Sequence, residues 1–208
     1  MGVVIQESGC DRTAHDRLLS AAIELFARKG YSATTVREIV DAAGVTKPVL
    51  YYHFGSKEGI YLGLMDGARS EFVATLARAV AEGGTARQQV VRVLGGVLDL
   101  ILANLGLVRV FHAMYYGPPQ GAPFFDFELF HAQLVGTIHT LVERGIAAEE
   151  FRSGDVDDIT MALFGAFDIC QGMNLHHPEL CIDRSRLERV LNVIFSGVNT
   201  ADNKEHER

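Results

Sequence analysis

Apolar residues recur along this chain with helical rather than strand periodicity almost from end to end. Leu18, Ala22, Leu25 and Phe26 follow an i, i+4, i+7, i+8 rhythm, one stripe of a helix entered near Thr13 and stopped by Gly30. Thr35 and Glu38 form a T-x-x-E capping box, which predicts a short helix over about 36–43. Gly44 follows where a helix end turns left-handed, at least cost to a residue without a Cβ. Thr46 is a second N-cap opening a helix over about 47–53, and Pro48 is tolerated in its first turn, where amides lack intrahelical partners. Two short helices around a glycine turn predict a helix-turn-helix.

Beyond it, Ser56 caps a long helix from Lys57 to about Glu82, and Thr85 with Gln88 opens another to about Asn104. Residues 106–116 read as helical until GPPQGAP at 117–123 breaks the chain, and a long amphipathic stretch runs from Phe124 to about Ala148. Ile159, Leu163, Ala166, Cys170 and Met173 make one late stripe, and Leu187, Val190, Leu191 and Ile194 another, with the loop HHPEL between them. The expectation is an all-α chain of about nine helices. It divides into a flexible tail (1–11), a three-helix helix-turn-helix domain (12–56), a larger helical effector-binding and dimerisation domain (57–198) and a second tail (199–208).

At 208 residues, 48% of them hydrophobic, the chain can bury a sizeable core. The most apolar run, GVLDLILANLGLVRVF, is interrupted by Asp99, Asn104 and Arg109, so no membrane span is expected. The N-terminus lacks a basic region followed by an apolar one, and the expectation is a cytoplasmic protein. Cys10, Cys170 and Cys181 form no C-x-x-C pair, which indicates neither a disulfide framework nor a zinc knuckle. Net charge is -7, yet residues 1–60 carry seven Lys/Arg against seven Asp/Glu. The acidic surplus therefore lies wholly beyond them, and any nucleic-acid contact must be local to the neutral N-terminal part.

That part has the chemistry for it. A recognition helix presents polar groups at its N-terminal end to base edges while its flanks grip phosphates. Lys47 can donate to guanine O6/N7, Thr46 to a base or phosphate, and Pro48 offers apolar contact to a thymine methyl. Tyr51 and His53 can reach the backbone, and Thr35 and Lys57 stand at helix starts, where the dipole favours phosphate. Val36, Ile39, Val40, Val45, Leu50 and Phe54 are expected to pack the helices together, and Tyr52 is expected to pack with them. The run AAIELFARKGYSATTVREIVDAAGVTKPVLYYHFGSKEGIY, with its spacing of LF, G, T, AGV, LYYHF and SKE, resembles the DNA-binding domain of the TetR family of bacterial repressors over roughly residues 13–61. The resemblance implies that Thr46, Lys47, Pro48 and Tyr51 face bases or adjacent phosphates, and Thr35, His53 and Lys57 the backbone. Val40 departs from the small residue usual there in the family.

The rest of the chain resembles only the general layout of the family's effector domain. Ile159, Leu163, Ala166, Cys170, Leu187, Val190, Leu191 and Ile194 are candidates for a homodimer interface. An aromatic-rich region offers walls for a small apolar or aromatic effector, or an ordinary core. Its candidates are Phe111, Met114, Tyr115, Phe127, Phe130, Phe164 and Phe167, with His112, His131, Asp168 and Gln171 to orient the ligand. HHPELC has no recognised metal-ligand spacing, and G-x-S-x-G, H-E-x-x-H and phosphate-loop motifs are not found. No metal, cofactor or catalytic residue is expected. The reading is a homodimeric, effector-released repressor on a palindromic DNA operator; the alternative is an all-helical small-molecule-binding or catalytic protein without specific DNA binding.

Overall fold

The structure is a computed structural model and describes residues 13–197. The tails expected at 1–11 and 199–208, with Cys10, lie outside them. Among the described residues there are nine α-helices and no strand: α1 Ala14–Lys29, α2 Val36–Ala43, α3 Lys47–Phe54, α4 Lys57–Ala81, α5 Ala86–Ala103, α6 Leu105–Tyr115, α7 Glu128–Ala147, α8 Val156–His176 and α9 Arg184–Ser196. A 3₁₀ turn at Pro178–Leu180 precedes α9. The all-helical reading holds, down to the order of the elements.

Local chemistry accounts for the boundaries. Thr13 accepts the Asp16 amide at the start of α1. Asp155 accepts those of Asp157 and Asp158 at α8, and Asp183 that of Arg186 at α9. α2 closes in a Schellman arrangement: Gly44 takes φ +62, its amide donates to the Asp41 carbonyl, and the Val45 amide donates to the Val40 carbonyl at 3.0 Å. α7 starts at Glu128, later than the apolar run from Phe124 suggested, because the Asp126 carboxylate takes the Glu128 amide at 3.1 Å and fixes the first turn there.

The described chain forms two compact units. The first holds residues up to Ala74 together with Leu100–His131, and the second Thr75–Asp99 together with the residues from Ala132. The boundary drawn from sequence at 56/57 thus falls within the first unit. In that unit, α1 packs against α2, α3 and α6, and α2 against α3. Its core is made by Leu18, Ala22 and Phe26 of α1, Ile39 of α2, Leu50 of α3, Ile60, Tyr61 and Leu64 of α4, and Leu107 and Val110 of α6. Each fully buried Leu or Ile removes enough apolar surface to contribute about 1.5–3 kcal/mol. In the second unit α8 packs on α9, and the buried Asn174 side chain ties the connection down: it donates to Ile182 O at 2.8 Å and accepts the Ile182 amide at 2.9 Å.

Candidate nucleic-acid interface

α3 is eight residues long and buries one of them fully, Leu50. Phe54, four residues on, shares its inward face, which leaves the other faces of a two-turn helix outward. Thr46, Lys47, Pro48, Tyr51, Tyr52 and His53 are all exposed. The Thr46 hydroxyl makes no capping hydrogen bond, so it remains available to an external acceptor. Tyr52 corrects the sequence reading: it is 85% exposed, against 50% for Tyr51. It lies midway between Leu50 and Phe54, opposite the buried face, a signal the spacing already contained.

α2 is fixed by its capping box. The Glu38 amide donates to Thr35 Oγ1 at 3.3 Å, and Glu38 Oε2 accepts from the Thr35 amide at 2.9 Å and its hydroxyl at 2.8 Å. Lys29 Nζ donates to Glu38 Oε1 at 2.5 Å. The Lys29 ammonium first, then the Thr35 donors, hold the Glu38 carboxyl down to about 2. Thr35 is exposed, with its hydroxyl proton committed to Glu38.

Lys57 is the departure among the expected phosphate contacts. Its half-buried ammonium donates to Tyr31 O at 3.0 Å and Thr34 O at 2.9 Å and sits 4.1 Å from the centre of the Tyr31 ring. Burial lowers its pKa, and burial likewise pushes the Tyr31 hydroxyl up. A first-turn lysine reads as solvated from sequence; the carbonyls that capture it come from 23 and 26 residues earlier in the chain.

Residues 18–64 match the family described as bacterial regulatory proteins, tetR family. Over these residues the chain is of the TetR family. It is similar to the HTH-type transcriptional activator FasR of Mycolicibacterium smegmatis, 36% identical over 107 residues, covering 51% of this chain and 49% of that protein. It is also similar to the HTH-type transcriptional repressor KstR2 of Rhodococcus jostii, 34% identical over 94 residues, covering 45% and 46%. The chain thus spans about half the length of these curated relatives. Among solved structures, the transcriptional regulator FadR of Bacillus subtilis in complex with stearoyl-CoA superposes with a TM-score of 0.62 at 20% identity, over 88% of this chain and 98% of that one. That likeness is one of fold.

The remaining candidates fall in both units. In the first, Phe111, Met114 and Phe127 are half-buried against the core shared by α1–α4 and α6. The Phe111 ring lies 5.3 Å from Phe127 and 5.6 Å from Phe130, and Phe130 lies 5.1 Å from Phe72. The Tyr115 hydroxyl donates to the exposed Glu128 carboxylate, and His131 is exposed. In the second unit Phe167 is buried with the Phe164 ring 6.3 Å away, while Asp168 is exposed and accepts from Gln171 Nε2 at 3.0 Å. Asp168 and Gln171, expected to orient a ligand, bond to one another at the surface of their unit, one helical turn apart.

The dimer stripe is also corrected. Leu163, Cys170, Leu187 and Leu191 lie in the chain's own core, and Ile159, Ala166, Val190 and Ile194 are half-buried. The outward apolar positions are Met161, 71% exposed, and Ile169, 67% exposed, on α8, with Val193 on α9. Met161, Gly165 and Ile169 form a second i, i+4, i+8 line; a helix apolar on two faces turns the better-filled one to its own core.

Proposed function

We propose that this chain is a DNA-binding transcriptional regulator that reads a palindromic operator as a homodimer. The observation that carries the reading is α3: one short helix, seated through Leu50, that presents Thr46, Lys47, Pro48, Tyr51, Tyr52 and His53 to solvent at once. Lys47 and Thr46 at its N-terminal end meet base edges, and Tyr51, Tyr52 and His53 the flanking backbone, while Thr35, its amide and hydroxyl both held by Glu38, fixes the start of α2 instead of gripping a phosphate. Dimerisation follows from DNA symmetry, since two recognition helices ~34 Å apart read successive major grooves. Met161, Ile169 and Val193 are the surface offered for it, with the half-buried Ile159, Ala166, Val190 and Ile194 at its margin.

The regulator acts as a repressor released by a small, largely apolar effector, in the cytoplasm and without catalysis of its own. The phenylalanine cluster around Phe111, Phe127 and Phe130 supports an apolar ligand, as does the acyl-CoA held by the structurally similar Bacillus subtilis regulator. Such a ligand releases DNA only through a preference for a conformer whose recognition helices no longer match the half-sites, a coupling of ~1–3 kcal/mol.

Selection of duplexes from a random library by the full chain, followed by footprinting, tests the reading. A protected pair of inverted half-sites is the expected result. Retention of random duplex no weaker than of any selected sequence would leave an all-helical binding protein in its place. A reporter fused downstream of the recovered site then separates repression from activation, both of which occur among the relatives.

A further inference from the structure

Residues 30–34 join α1 to the capped start of α2, and they are gripped from two sides. On one side is Lys57, bonded to Tyr31 O and Thr34 O. On the other is Gln120, in the connection between α6 and α7. The Tyr31 amide donates to Gln120 Oε1 at 2.8 Å, and the Ser32 hydroxyl donates to the Gln120 main-chain oxygen. Gly30 makes the room: it sits at φ +83, and a Cβ there would run into Gln120 Oε1. Tyr31 itself is buried, its ring 5.4 Å from Phe26 and 5.3 Å from Tyr61, so its amide has few other partners to turn to. The Gln120 connection is anchored in turn, because Ala122, Phe125 and Phe127 pack on the same core.

We propose that Gln120 is a positioning residue for DNA binding, acting through the Tyr31 amide to set where α2 begins and hence how α2 and the α3 packed on it meet the duplex. The proposal rests on the regulator reading above. Gln120 acts here through its acceptor oxygens, which take the Tyr31 amide and the Ser32 hydroxyl. It serves the reading helices as a supporting shell serves a site that must be held within roughly half an ångström.

Three variants of the full chain, measured on one duplex selected by the unaltered protein, test this. Gln120→Ala removes the acceptor and leaves the Tyr31 amide unpaired; its affinity for the duplex is expected to fall about tenfold, with the salt dependence of binding unchanged because no phosphate contact is lost. Gln120→Glu keeps an acceptor oxygen at the same reach and is expected to restore affinity. Lys47→Ala serves as the control that weakens binding at α3 itself. Hydrogen exchange of residues 31–38 is expected to quicken in Gln120→Ala and to return to normal in Gln120→Glu. Unaltered affinity in Gln120→Ala, alongside a weakened Lys47→Ala, overturns the proposal and leaves the regulator reading standing. So does a Gln120→Glu variant as weak as the alanine one. Failure of the unaltered protein to select any duplex overturns both.

Discussion

Lys57→Ala separates two roles that this residue could play. At a helix start it has the position of a phosphate contact, but its ammonium is spent within the fold on the Tyr31 and Thr34 carbonyls, at 3.0 and 2.9 Å, and on the Tyr31 ring. A hydrogen bond to a charged group contributes about 1.5–3 kcal/mol and a partly exposed cation–π contact about 0.5–1. Desolvation of the ammonium works against both, as its lowered pKa indicates. The net loss on truncation is therefore set near 2 kcal/mol rather than at the sum, which for a chain of this size lowers the melting temperature by roughly 4–8 °C. The assay is thermal unfolding by circular dichroism paired with the salt dependence of operator affinity. Expected are a lower melting temperature and an unchanged slope of log Kd against log salt. A full melting temperature with a slope shallower by about 0.9 would make Lys57 a phosphate contact and refute the internal-staple reasoning.

Lys47→Ala, on an exposed side chain, should leave the melting temperature in place and weaken binding to the selected operator by ~1–3 kcal/mol; an equal loss on all sequences in competition gel shifts would assign Lys47 to phosphate instead. Ile169→Arg is expected to give monomers in analytical ultracentrifugation with little loss of monomer stability. Leu163→Ala should cost about 2–5 kcal/mol in urea unfolding through the cavity left in the core, and the opposite assignment of these two effects would restore the original stripe as the interface. For Glu38, whose carboxyl falls from its ordinary 4.5 to about 2 on folding, the stabilisation is fully present above the unfolded pKa and is lost as pH drops toward 2. Acid titration of stability should accordingly be flatter in Glu38→Gln than in the unaltered chain; identical pH profiles would show that the Lys29 and Thr35 contacts do not persist in solution.

The reading head was legible before any coordinates because its information is local. Thr35, Glu38 and Gly44 act on backbone groups within four residues of themselves, so capping and turn chemistry fix the helices and their order directly from spacing. Leu50 and Phe54 likewise determine which side of α3 faces inward, and Tyr52 was misjudged through the appeal of an aromatic residue to a core rather than through missing information. What the tertiary structure alone decided were choices among remote partners. Periodicity shows that α8 has apolar residues on two faces, but only packing shows that Leu163 turns to the chain's own core and Met161 to solvent. Lys57 finds its carbonyls 23 and 26 residues away, and Gln120 finds the Tyr31 amide 89 away. Nothing in a linear pattern encodes such a meeting, because it arises from the closing of the whole chain, whose buried amides and carbonyls must then be satisfied by whichever side chains arrive beside them.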